Sequence, residues 1–175
     1  MVSWKRGVGC LAVVFAGCTG PGPRVCTERA CADAATITTK LSAAGAPTGE
    51  HTFVVEVDGV VGRCSVQFAS ATSIAYGECA APGTSLWIGP VMRGQETTMV
   101  IEGSSVVMHS SAPVPGEFEW QITVHGRPNA VRVVHTFAGR PVVERTATFV
   151  YADVRPNGEG CEPVCKAATA QWQGP

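Results

Sequence analysis

The chain has 175 residues, a formal net charge of −1 and only 15% charged residues against 45% hydrophobic ones. That length builds one domain with a buried core, and so low a charge in a Val-, Ala- and Thr-rich sequence argues against a disordered polyelectrolyte. No block of Lys or Arg occurs, which argues against nucleic acid and against a polybasic membrane patch as partners.

Lys5 and Arg6 precede the apolar stretch Gly7 to Ala16, which has the length of a signal-peptide core and is too short to span a bilayer. Cys10 lies inside that stretch and leaves with it. Cys18 follows Phe15-Ala16-Gly17 directly. This tetrad resembles the lipobox of bacterial lipoproteins, with Phe15 in place of the usual Leu. The resemblance covers the first eighteen residues. It implies cleavage before Cys18, a diacylated thiol and an acylated amino group, with palmitate among the chains. Several acyl chains anchor a domain stably, because each buried methylene contributes about 0.8 kcal/mol. Thr19 stands where inner-membrane retention signals carry Asp, so the resemblance further implies an outer membrane location where the cell has one. The alternative is an ordinary secretory signal cut near Ala16, with Cys18 left to form a disulfide.

The expected organisation is therefore a signal peptide over 1–17, a lipidated Cys and Gly/Pro tether over 18–25, a β-domain over 26–167 and a C-terminal tail over 168–175. Removing Lys5 and Arg6 leaves 11 basic residues (13 − 2) against 14 acidic ones, a mature net charge of −3.

Ala35 to Leu41 is β-branched and reads as the first strand, broken by Ser42 to Pro47. From His51 to Val57 the chain alternates, with Phe53, Val55 and Val57 on one side, and Asp58-Gly59 follows as a turn. Arg63 to Phe68 and Ser73 to Cys79 are short strands. Pairing residues whose numbers sum to 143 sets Cys64 opposite Cys79, Val66 opposite Gly77 and Phe68 opposite Ala75, all on one face. Opposed cysteines on an antiparallel pair suit a disulfide. Ser85 to Ile88 is a short strand ended by Gly89-Pro90. Thr97 to Glu102 and Ser105 to His109 read as a separate hairpin, and Ser110 to Gly116, with two prolines, as a loop. Phe118 to His125 alternates again, and Ala130 to Phe137 and Val142 to Tyr151 form a last hairpin.

Eight to ten short strands without a helix indicate an all-β fold. The expectation is a single small antiparallel β-sandwich, Ig-like in architecture only, with a small β-barrel as the alternative. Cys26, Cys31, Cys161 and Cys165 complete an even set with Cys64 and Cys79, which in an exported chain reads as three disulfides. The four terminal cysteines allow three connectivities. Because long loops gain most from closure, end-to-end pairing is favoured, with a lean to Cys26–Cys165 and Cys31–Cys161.

The paired-Cys segment, the Gly-rich turn with Cys64 and Cys79, and the closing Tyr151…Pro156-Asn157-Gly158-Glu159-Gly160-Cys161-Glu162-Pro163-Val164-Cys165 carry a second resemblance. They look like a group of small uncharacterised bacterial lipoproteins. That resemblance implies a compact exported sandwich and carries no activity.

No catalytic motif appears. His51, His109, His125 and His135 lack any His-x-His or zinc-protease spacing. His135 shares its parity with Val131, Val133 and Phe137 and reads as a hydrogen-bonded core residue; His125 and His135 read as sharing a sheet. Asp153, Asn157 and Glu159 lack calcium-loop spacing. Trp87, Trp120 and Trp172 read as core or core-edge residues, Trp172 in the tail. The expectation is a non-enzyme without cofactor or metal: an interaction module, lipid-anchored at Cys18, whose partner is an envelope protein or polysaccharide. A structural envelope component and, less favoured, an envelope hydrolase are the alternatives.

Overall fold

A computed structural model describes residues 29–42, 48–101 and 104–174, with the side chains of 97–101 and 104–106 left undescribed. Cys18, Cys26, the signal segment and the tether lie outside the described residues. Ten strands follow in order: β1 (Ala34–Ser42), β2 (Gly49–Val57), β3 (Val60–Phe68), β4 (Ala75–Cys79), β5 (Thr84–Ile101), β6 (Ser104–His125), β7 (Ala130–Phe137), β8 (Arg140–Thr148), β9 (Ala152–Val154) and β10 (Cys165–Gln173). The described residues contain no helix.

The strands form one continuous sheet in the order β8-β7-β2-β3-β4-β5-β6-β1-β10-β9. It folds over on itself, so that rings of opposite halves meet. Phe53 of β2 packs edge-on to Trp120 of β6 at 5.3 Å, and Phe68 of β3 packs on Phe118 of β6 at 5.7 Å. The result is the expected all-β, sandwich-like fold. Two edges, β8 and β9, stay open, so the barrel alternative is not realised.

β4 makes the corner. It pairs with β3 only at Cys64↔Cys79 and Ser65↔Glu78, then joins β5 through Ala75↔Ile88, Tyr76↔Trp87 and Gly77↔Leu86. The expected cysteine pair is therefore present, as a disulfide with Cα atoms 4.0 Å apart. The expected continuation of that hairpin to Gly77 and Ala75 is not. Gly77 shows why the chain can turn there: a Cβ on it would meet Leu86 Cδ2 at 2.7 Å and the Ser65 carbonyl oxygen at 2.8 Å. Only glycine allows the two layers to come this close at the corner.

The core follows from strand alternation. Ile37 and Leu41, Phe53 and Val55, Val66 and Phe68, Leu86 and Ile88, Trp120, Ile122 and Val124, and Val131 and Val133 are all buried in one cluster.

Three further expectations are corrected. The sheet is mixed rather than purely antiparallel, because β1 pairs with β10 in parallel, from Ala34↔Ala167 to Lys40↔Gln173. Residues 168–173 are thus strand, not tail, and Trp172 packs against the core, 6.1 Å from Trp120. The parallel register also reverses the cysteine lean. Parallel neighbours keep a constant difference in number, antiparallel ones a constant sum. The lean, with sums of 191 and 192 (26 + 165, 31 + 161), suits an antiparallel pair. The observed bond joins Cys31 to Cys165, a separation of 134. Cys161 is disulfide-bonded as well, to a partner outside the described residues.

Candidate functional site

The feature that no sandwich requires is the outer half of the β5–β6 pair. β5 contacts β4 only through Leu86–Ile88, and β1 accompanies β6 only as far as Ser42↔Glu117. Beyond these points the two strands have only each other. Their register breaks between Pro90 and Met92, then runs unbroken for ten pairs, from Met92↔Pro113 to Ile101↔Ser104. At about 3.4 Å per residue this arm reaches roughly 30 Å past the sandwich.

Sequence reasoning split the arm into pieces. Gly89-Pro90 read as a strand end and Ser110 to Gly116 as a loop. In the structure the irregularity is confined to the base of the arm, where Val114 to Glu117 have no partner on β5 and Gly116 adopts φ 75°. A wide bulge absorbs the breakers there, and the ladder resumes beyond it. The long alternation-poor stretch Ser110 to Pro113 gave no signal that it would pair.

The arm is sparsely charged. Arg93 and Glu96 on β5 and His109 on β6 are its only charged or titratable residues over 92–101 and 104–113. His109 Nδ1 lies 3.4 Å from Glu96 Oε1, and both are exposed. Met92, Val107 and Met108 are exposed as well. Val107 and Met108 are consecutive, so apolar surface faces both sides of the ribbon. β6 carries Pro113 and Pro115 at the base, whereas β5 has no proline over 92–101. The arm therefore offers backbone edges with few of the charges that block strand addition.

The arm also has a direction. β1 begins at Ala34 and β10 begins beside it at Cys165, so the N-terminal segment enters at one end of the sandwich. Backbone hydrogen bonds knit that end together: Asp58 N–H to Ala130 O, His125 N–H to Gly83 O, Gly126 N–H to Asp33 O and Phe149 N–H to Asn129 O. β5 starts at this end with Thr84 and runs away from it. The arm thus leaves the end opposite to the chain's entry.

The other candidate residues fall in different places. His51 and His135 meet in the core, Nδ1 of His51 and Nε2 of His135 at 2.9 Å, both fully buried. His135 stacks on Phe53 with ring centroids 4.3 Å apart. Burial, reinforced by the neighbouring His51, lowers the His135 pKa to about 3, so the ring is neutral. The reading of His135 as an inward, hydrogen-bonded residue is correct. His51 was not singled out as its partner, although it shares the parity of Phe53, Val55 and Val57. The pairing of β2 with β7 that joins them is non-local. His125 is exposed on β6, which shares the one sheet with the β7 of His135 but is not its neighbour, since β2, β3, β4 and β5 lie between them.

Asp153, Asn157 and Glu159 do not converge as a ligand set. Asp153 pairs with Lys166. Asn157 is buried and clamps the two chain ends: its Oδ1 accepts from Arg29 N–H at 2.9 Å, and its Nδ2 donates to the carbonyls of Arg29 and Glu162 at 3.1 and 2.6 Å. Among the described residues no cluster of three or more His, Cys, Asp or Glu is placed to hold a metal ion. Trp120 is core; Trp87 is half-buried on β5.

A broad open cleft of about 560 Å³ lies outside the corner, lined by Glu50, Thr52, Arg63, Ser65 and Glu78 near the Cys64–Cys79 bond. None of these side chains hydrogen-bonds another in the manner of a nucleophile and its base, and the cleft has polar walls without a catalytic constellation.

No known family, no curated protein and no solved structure matches this chain.

Proposed function

We propose that this chain is a lipid-anchored cell-envelope protein, attached through acyl chains on Cys18, and that its β-sandwich is a non-catalytic interaction module. The carrying observation is the β5–β6 arm, which leaves the end of the sandwich opposite to the chain's entry. A domain tethered at its N-terminus holds such an arm away from the lipid surface, within reach of other envelope components.

The chemistry of the arm favours a protein partner over a polysaccharide. Sugar binding draws on aromatic platforms, and the arm has no aromatic residue over 92–113. Free backbone edges with exposed Met and Val side chains suit addition of a partner strand. An isolated two-stranded ribbon is also marginally stable in water, so a partner would complete what the sandwich leaves unsupported.

The test is photo-crosslinking from the arm in the native envelope, with a crosslinker at Gln95 and a control at Thr146 on β8. The expected result is one envelope protein joined at Gln95 and absent at Thr146, with capture at Gln95 lost when the exposed Val107 and Met108 are both replaced by lysine, a charge that blocks strand addition. Unchanged capture at Gln95 in that variant, with the sandwich still folded, would contradict the reading.

A further inference from the structure

We infer that the entry end of the sandwich is itself a membrane-contacting face, with the β2–β3 hairpin tip seated in the headgroup region of a phospholipid surface. The inference rests on lipidation at Cys18 and goes beyond it, because an acyl anchor alone does not fix how a domain lies. Of the nine exposed large hydrophobic residues among those described, four lie at this one end: Val60, Val61, Val150 and Val154. Val60 and Val61 are each 62% exposed and Val150 94%. Val60 and Val61 directly follow the Asp58-Gly59 turn. Below them an open cavity of about 260 Å³ is lined by Val57, Asp58, Val60, Ala81 and Pro82. Val150 follows Phe149, whose N–H binds Asn129 O in the neighbouring turn, and Val154 pairs with Cys165 at the start of β10.

Apolar residues in water at a tethered end have one nearby apolar environment, the bilayer. Residues 18–28 are eleven residues, a connection of at most about 40 Å when fully extended. The tether keeps this end beside the lipid at high effective concentration, so contacts too weak to bind a free domain become populated. The charges of the end nearly cancel, with Arg29, Arg127, Arg155 and Lys166 against Asp33, Asp58, Asp153, Glu159 and Glu162. The Asp58 carboxylate accepts from Asn129 N–H at 3.0 Å and Ala130 N–H at 2.9 Å. Asp33 is paired with Arg127 at 3.1 Å, and Asp153 with Lys166. The opposite end instead carries the arm, so the two ends divide the work of lying on lipid and reaching outward.

The test uses the full lipidated chain in phosphatidylethanolamine–phosphatidylglycerol vesicles with brominated acyl chains, which quench tryptophan at close range. Val61→Trp is expected to show about twofold or more extra quenching over the unsubstituted chain, and Ala71→Trp at the far end none. Val150→Trp provides a second position at the entry end should Val61→Trp misfold. Intact mass reports the acyl chains on Cys18 in the same sample. Quenching at neither position in a chain that carries the lipid would overturn the inference and leave the anchor standing. A chain without lipid on Cys18 would overturn both.

Discussion

Replacing Cys31 and Cys165 by alanine is expected to cost only about 3 kcal/mol, and replacing Cys161 as well a further 5 kcal/mol or so. The asymmetry comes from chain topology. Cys31–Cys165 closes a loop of 134 residues, which alone would be worth about 5 kcal/mol in the chain-entropy model. Cys161 carries a second disulfide, however. With Cys10 in the proposed signal segment and Cys18 the proposed lipid attachment, the cysteine left for it is Cys26, at a sequence separation of 135 (161 − 26) beside 134 (165 − 31). Whichever of the two bonds remains still joins the chain ends, so losing one frees a loop of only about ten residues. Denaturant unfolding of the stepwise variants measures this. The first step should lower Tm by roughly 6–12 °C, and the second should exceed it. Equal steps would contradict two parallel end-to-end bonds, as would non-reducing peptide mapping that joined Cys26 to Cys165.

Stability is expected to fall as the pH drops from about 6.5 towards 4, through the buried histidine pair. In the unfolded chain His135 regains its ordinary value near 6.5, whereas in the fold it is lowered to about 3, first by burial and then by His51. Between these values the unfolded state binds the extra proton. The contribution of neutral His135 is therefore complete above 6.5 and is lost progressively as the pH falls towards the folded value, at about 1.4 kcal/mol per unit. By pH 4 the loss is about 3 kcal/mol. Replacing both His51 and His135 with Phe removes both hydrogen-bonding partners together and keeps aromatic rings against Phe53, Phe68 and Phe137. Urea unfolding at stepped pH should show the slope between 6.5 and 4 largely abolished in this double variant. An unchanged slope would place the titrating group elsewhere.

Much of the fold was legible because it rests on period-two alternation. Phe53-x-Val55-x-Val57 and Val131-x-Val133-x-His135 marked inward faces, and the sum rule found Cys64 opposite Cys79 without knowledge of the sheet. What failed has physical reasons. β10 is built from Ala167, Ala168, Thr169 and Ala170 between two strands, and small residues in a parallel pair show neither alternation nor apolar bulk. Parallel pairing leaves no turn signal, so the cysteine connectivity could not be oriented. The arm was hidden by prolines and glycines that a bulge accommodates. His51 and His135 each lay on the correct parity, and only the non-local β2–β7 register brought them together.

Attachment through acyl chains on Cys18, proposed above, is the central claim. Mass spectrometry of the N-terminal peptide from the native envelope is expected to begin at Cys18 and to carry a diacylglyceryl thioether and an N-acyl chain. Cys18→Ala should release the folded domain from the membrane fraction. An unmodified Cys18, or a Cys18→Ala chain that stays membrane-bound, would contradict it.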